Sequence, residues 1–330
     1  MLLGMGVVLL PGAALAEQPH WQGFPLRNQN PFLQIFGLPT FQSGTLVAEG
    51  STQYELSLDI VNHADAASSL TEDFEVDGES YFFSLSMRRR FSAGLELGFE
   101  LPLVAHATGF LDGFIENWHS AFGLSNAKRR NANNQLYFSY AGASGSGYQL
   151  NSSAFGLGDL QLTAAIPVRQ ATAADGLSVA LRASVKLPTG DSEKLLGSGA
   201  ADYSIGAYLA SRQQLLKRDL DLSGFVGTLF LTDGDILPDI QRSSVPYGGM
   251  AATWHATERL GITAQLFVQR PYFNTALEEL GGNSMQLAVG GQYRPRAGGI
   301  VLSFAIVEDV STNATPDLGL HASLRTRGAR

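Results

Sequence analysis

Leu177–Leu187 reads Leu-Ser-Val-Ala-Leu-Arg-Ala-Ser-Val-Lys-Leu. Leu177, Val179, Leu181, Ala183, Val185 and Leu187 share one parity, and Ser178, Ala180, Arg182, Ser184 and Lys186 share the other. Period 2 over such a run specifies a strand with one apolar face and one polar face. Its length matches the 9–11 residues, roughly, that a tilted strand needs to cross a bilayer. Arg182 and Lys186 cannot face lipid, so their side of the strand must face water or paired charge. Pro188-Thr189-Gly190-Asp191 then ends the strand with turn chemistry. A lone strand of this kind cannot satisfy its backbone in a membrane. A closed set of them can.

The remaining chain supplies that set. Strands are expected at Gln53–Val61, Tyr81–Arg89, Leu95–Leu103, Asp159–Val168, Leu177–Leu187, Asp202–Arg212, Asp219–Leu231, Val245–His255, Leu260–Arg270, Ser284–Arg294, Ile300–Val307 and Asp317–Arg325. The parity of Val245–His255 is blurred. Short connections (Arg90–Gly94, Gln170–Gly176, Gln213–Arg218, Ala256–Arg259, Pro295–Gly299) alternate with long ones. The long ones are Asn62–Ser80, Val104–Gly158, Pro188–Ala201, Thr232–Ser244, Pro271–Asn283 and Glu308–Pro316. This alternation is that of an outer-membrane barrel with short periplasmic turns and long outer loops. It predicts an all-β, antiparallel transmembrane barrel of about twelve strands, with both termini periplasmic. A hairpin formed by Asn134–Tyr140 and Tyr148–Asn151 raises the count to fourteen if it joins the wall. A soluble β-sandwich would not require the lengths to alternate.

Composition agrees. Charged residues are 16% of the chain, against about 25% in soluble domains. The net charge of −8 argues against a nucleic-acid partner. Cysteine is absent, which excludes a disulfide scaffold and a thiol nucleophile. Met1–Ala16 has an apolar core, Leu2–Leu10, and an Ala14-Leu15-Ala16 cleavage site, so residues 1–16 read as a secretory signal although no Lys or Arg precedes the core. A buried N-terminal helix is the alternative. Residues 17–50 carry Pro19, Pro25, Pro31 and Pro39 among Trp21, Phe24, Phe32, Phe36 and Phe41. Such proline spacing forbids a long helix or central strand. The aromatics need burial, so this segment is expected to pack into or under the barrel formed by residues 51–330.

Candidate girdle aromatics are Tyr81, Tyr203 and Phe230 at outer strand ends and Tyr54 and Tyr293 at periplasmic ends. The expected lumen residues are the polar parity set. They include Glu96, Glu100, Asp159, Arg169, Arg182, Lys186, Asp202, Gln286, His321 and Arg325. Plug candidates are Arg27, Asn28, Asn30 and Phe32. Both charge signs occur, so neighbours can pair across strands.

Enzymatic and metal chemistry find little footing. Glu116 and His119 stand at i, i+3 on an expected loop helix within Gly109–Leu124, with no further ligands nearby. Asp73, Glu75, Asp77 and Gly78 start like a calcium loop, but Ser84 occupies the place of its terminal Glu. His321 and Ser323 share the polar face, so they point away from lipid, and no catalytic residue, metal or cofactor is expected. Lys128-Arg129-Arg130 is suited to lipopolysaccharide phosphates.

Three stretches carry a resemblance. Arg27-Asn28-Gln29-Asn30-Pro31-Phe32, Glu116-Asn117-Trp118-His119 with Phe122-Gly123, and Lys186-Leu187-Pro188-Thr189-Gly190-Asp191 together resemble an uncharacterised proteobacterial family, domain of unknown function 3187. The resemblance covers most of the chain after residue 16. It implies secretion and an outer-membrane barrel of a Gram-negative bacterium, with no known activity. The Leu-Pro-Thr-Gly-Asp element is also similar to a strand end in phenol-pathway and fatty-acid-transporter barrels. That likeness implies passage of hydrophobic molecules. Such barrels usually end in an aromatic residue, whereas this chain ends Leu324-Arg325-Thr326-Arg327-Gly328-Ala329-Arg330. The expected role is a channel or uptake pore for small molecules. A lipid-modifying enzyme and a non-conducting structural or surface-binding barrel are the alternatives. Expected partners are outer-membrane lipids, lipopolysaccharide, the barrel assembly machinery and an unidentified small solute.

Overall fold

A computed structural model describes residues 21–92, 94–109, 135–142, 145–171, 176–295, 299–310 and 318–327. The wall is formed by β1 (Thr52–Ser68), β2 (Asp73–Arg90), β3 (Glu96–Ala107), β7 (Leu160–Arg169), β8 (Leu177–Leu187), β9 (Asp202–Leu215), β10 (Arg218–Leu231), β11 (Ser244–His255), β12 (Leu260–Gln269), β13 (Ser284–Tyr293), β14 (Ile300–Asp309) and β15 (Leu318–Arg327). Each pairs antiparallel with its neighbours, and β1 closes on β15 from Gln53↔Arg327 to Asn62↔Leu318. The result is a closed barrel of 12 strands. Three short strands lie outside the closed ring: β4 (Tyr137–Ala141), β5 (Gly147–Leu150) and β6 (Ala154–Leu157).

Alternation sets the two faces of the wall. Leu56, Leu58, Phe83, Leu85, Leu97, Leu162, Leu181, Ile205, Ile262, Val289 and Phe304 are exposed, forming an apolar outer belt. Tyr54, Tyr203, Phe230 and Tyr293 stand at its margins, also exposed. The intervening residues turn inward and are buried. No helix among the described residues is long and apolar enough to cross a membrane.

One end of the barrel, the turn end, carries short connections. The tightest is Leu216-Lys217, where both residues take positive φ (52° and 60°), as a two-residue hairpin demands. It replaces the longer turn expected at Gln213–Arg218. The other end, the loop end, carries the long connections. There the expected loop Asn62–Ser80 is instead sheet. β1 and β2 stay paired from Asn62↔Glu79 to Ser68↔Asp73, so the strands stand well beyond the length a bilayer needs. The hairpin β4–β5 pairs with this extension through Asp73–Asp77 and never enters the closed ring. β6, which the sequence did not announce, covers Leu103–His106 of β3 before β7 takes over at Glu96–Glu100. The expected helix in Gly109–Leu124 beyond its first residue, the Glu116 and His119 pair, Lys128-Arg129-Arg130 and the signal segment 1–16 lie outside the described residues.

Candidate functional site

The lumen is filled by the chain itself. Residues 21–50 enter at the turn end, rise to the loop end, bend and return to the start of β1. At the turn end the Trp21 amide donates to Asp221 Oδ2 at 2.8 Å. The guanidinium of Arg294 lies 3.5 Å from the centre of the Trp21 ring, a cation–π contact. Farther up, Phe24 and Gln265 exchange hydrogen bonds, amide to Oε1 at 2.7 Å and Nε2 to carbonyl at 3.1 Å. At the loop end Phe32 meets Phe74 and Tyr148, and Phe36 stacks on Tyr272 at 5.0 Å. On the way back the Val47 amide donates to Glu96 Oε2 at 2.7 Å, and Gly50 donates to the Arg90 carbonyl at 3.0 Å.

The bend is written in the Arg-Asn-Gln-Asn-Pro-Phe stretch. Asn28 Oδ1 accepts from the Asn30 amide and Asn30 Oδ1 accepts from the Phe32 amide. These are successive Asx turns, with Pro31 fixing φ between them. Leu33 and Gln34 then donate to the Asn30 carbonyl and complete the reversal. Asn28 also reaches the wall, donating to Ser284 Oγ at 3.0 Å.

Lys186 joins the wall to the inner segment. Its Nζ lies 2.6 Å from Asp159 Oδ2 and 3.2 Å from Asp202 Oδ2. It also donates to the Ile35 carbonyl at 3.0 Å. Asp202 accepts from the Gly37 amide at 2.8 Å, and Gln161 donates to the Gly37 carbonyl at 2.9 Å. The Leu-Pro-Thr-Gly-Asp stretch braces this cluster. Thr189 Oγ1 donates to the Gly158 carbonyl, and the Gly190 amide donates to Asp159 Oδ1. Lower down, Arg182 pairs with Glu96 at 2.7 Å and donates to the Ser43 carbonyl at 3.0 Å. Arg27 pairs with Glu100 at 2.8 Å.

The interior has two unlike sides. On β9 to β12, Tyr208, Phe225, Tyr247 and Phe267 point inward and are buried. Phe225 is their centre, 5.0 Å from Phe41 of the inner segment and 5.1 Å from Tyr208. Gly227 and Gly249 admit these rings, since a Cβ at Gly227 would sit 2.5 Å from the Tyr247 ring and one at Gly249 2.8 Å from Phe225. On β14, β15, β1 and β2 a row of inward serines runs in register: Ser303↔Ser323, Ser323↔Ser57 and Ser57↔Ser84. Burial of each fully enclosed phenylalanine stabilises the filled state by about 1.5–3 kcal/mol. The polar side adds orientation through charge-assisted hydrogen bonds.

Most of the expected lumen residues are buried behind this wall. Glu96, Glu100, Asp159, Arg182, Lys186, Asp202, Gln286, His321 and Arg325 all turn inward. Arg325 pairs with Glu55 at 3.0 Å. Arg169 differs, being exposed at the turn end. A register shift between Pro167 and Arg169 sets Arg169 opposite outward-facing Val179. The extra residue of that bulge reverses the parity. Asn28, Asn30 and Phe32 are buried, and Arg27 is half-buried.

His321 Nδ1 lies 2.6 Å from Asp59 Oδ1, while its buried Nε2 makes no hydrogen bond. Ser323 shares its face, but its hydroxyl is likewise without a partner and no Ser–His contact forms. The Phe24 ring packs at 5.8 Å from the imidazole. The group is therefore an orienting pair inside the lumen, not an assembled nucleophile at the lipid surface. Among the described residues no cluster of metal-ligating side chains occurs.

The fold has a counterpart among solved structures. The crystal structure of the COG4313 outer membrane channel from Pseudomonas putida F1 is similar over 85% of this chain and 96% of its own, with a TM-score of 0.53 at 13% identity. The NanC porin covers 84% and 100% at a TM-score of 0.46 and 9% identity. The toluene transporter TbuX of Ralstonia pickettii covers 85% and 90% at 0.37 and 12%. The first likeness establishes the fold, that of an outer-membrane β-barrel. No curated protein matches the chain. The model of the DUF3187 family, described as a protein of unknown function, matches residues 2–327. The chain belongs to the DUF3187 family.

Proposed function

We propose that this protein is an outer-membrane channel for small solutes, held closed by its own residues 21–50. One observation carries the reading. The inner segment enters and leaves through the same end of the barrel, so it can withdraw without opening the wall. Hydrogen bonds, ion pairs and ring contacts hold the segment to the wall. Twelve strands lie between the eight that side chains alone can fill and the sixteen that leave an open channel. Here the segment supplies the filling. The turn end faces the periplasm on this reading, with both chain ends there and the long loops outside. Residues 1–16 direct export, and outer-membrane lipids and lipopolysaccharide surround the apolar belt.

The two-sided interior supports a solute class. Withdrawal of the segment would uncover Tyr208, Phe225, Tyr247 and Phe267 facing the serine row and its charges. Such a path suits a small solute with an apolar part and a polar end. The test is conductance in planar bilayers. The full chain should be closed or only briefly open. A refolded barrel lacking residues 21–50 should give a steady current and pass small aromatic solutes in liposome swelling. A folded deletion barrel that conducts nothing would instead favour a structural barrel without transport.

A further inference from the structure

The cations of the barrel interior are not all answered by anions. Arg27, Arg182 and Arg325 pair with Glu100, Glu96 and Glu55. Arg88 on β2 has no such partner among the described residues. Its one hydrogen bond is a long contact to Gln22 Oε1 at 3.4 Å. Its Nη1 is buried and makes no hydrogen bond. The residue is 7% exposed. The charges that reach it are Glu96, Arg182, Glu55 and Arg325, and these form two ion pairs with each other. Counted as pairs these four groups are neutral, so Arg88 leaves one positive charge over. A buried unpaired ion carries a heavy desolvation penalty unless something answers it.

The place where an answer would sit is open. Arg88 lines a chamber between the inner segment and the wall with Gln22, Ser57, Ser84 and Ser86; Glu55 and Glu100 also line it, held by Arg325 and Arg27. Its volume is about 30 Å³. A water needs about 10–15 Å³ on the same measure, so the chamber holds a small ion and little else. Its serine hydroxyls can turn to donate. The positive field comes from Arg88, since Arg325 is held by Glu55. The chemistry is that of an anion site: a guanidinium N–H, hydroxyl donors and low dielectric.

We propose that Arg88 binds a small monovalent anion, of chloride or formate size, in this chamber. The anion completes the interior of the plugged barrel. The site requires no transport by the protein, so it stands whether or not the channel reading does.

The test uses the full chain in detergent. Chloride replaces gluconate at constant ionic strength while the unfolding midpoint is followed. Linkage then predicts a saturable rise of roughly 2–4 °C. The Arg88→Gln protein should lose the response, and Arg218→Gln, at a turn, should keep it. Crystals of the full chain grown with bromide should show an anomalous peak within hydrogen-bond distance of Arg88 Nη1. This readout decides the matter even if Arg88→Gln does not fold. An anion-independent midpoint with no bromide in the chamber would overturn the proposal.

Discussion

Lys186 on β8 donates to the carbonyl oxygen of Ile35 at 3.0 Å while it bridges Asp159 and Asp202. A wall cation thus holds the backbone of the inner segment near its bend. Lys186→Met should leave the two carboxylates buried side by side without a counter-charge, at a cost of about 3–5 kcal/mol. It should also release Ile35. Denaturant unfolding in detergent should report the first effect, and more frequent openings in bilayers the second. Adding Asp202→Asn should restore part of the stability but not the closed state. A Lys186→Met channel as quiet as the parent would show that this contact does not hold the segment.

Gly44 tests the segment from another side. A Cβ at Gly44 would lie 2.6 Å from backbone atoms of Tyr208 and Leu209 on β9. Neither chain can yield there without breaking the ladder, so Gly44→Ala should unseat the descending limb. Conductance should rise, while the unfolding midpoint of the barrel changes less. Gly299→Ala is the control, because among the described residues nothing beyond its chain neighbours lies within 4 Å of the added Cβ.

How far the sequence reveals this arrangement depends on which constraint acts on each residue. Where lipid faces one side, polarity alternates, and strands such as Leu177–Leu187 stand out with their bounds intact. Beyond the lipid that pressure stops. Asn62–Ser68 and Asp73–Ser80 are paired strands, yet they lack the apolar face that would mark them. The inner wall is ambiguous for the opposite reason. Phe225, Tyr247 and Phe267 face a protein segment and not water, so apolar residues occupy both parities and β11 looks blurred. The plug stretch could be singled out by its prolines and aromatics. The partners of each of its residues could not, because every one of those contacts spans strands far apart in the chain. Arg88 shares the inward parity of Ser84 and Ser86 on β2, but its lack of an ion pair depends on where Glu55, Glu96 and Glu100 turn.

The aromatic half of the lumen should carry much of the stability. Phe225→Ala removes the ring that contacts Phe41, Tyr208, Tyr247 and Phe267. A large-to-small change at so enclosed a site costs about 3–5 kcal/mol. Phe83→Ala, on the exposed outer belt, should cost clearly less in detergent, because amphiphile refills the space. Equal losses in the two variants would argue that the inner aromatic contacts add little.

The loop end should weaken in acid through Glu72. This carboxylate lies at the tip between β1 and β2. It accepts from the Tyr140 hydroxyl at 2.7 Å and from the Ala276 amide at 3.3 Å. Burial pushes its pKa up, but the hydrogen bonds from Tyr140, Thr275 and Ala276 together hold it below the ordinary glutamate value. A lowered folded pKa means that the charged form is favoured by folding. Its contribution is then complete above the unfolded value, about 4.3, and is lost as pH falls through the folded one. Glu72→Gln should therefore lower the unfolding midpoint by a constant amount from pH 7 to about pH 5, with the gap to the parent closing below about pH 4. The comparison is made by thermal unfolding of both proteins in detergent across that range. A gap that persists unchanged to pH 3 would mean that Glu72 acts by shape and not by charge.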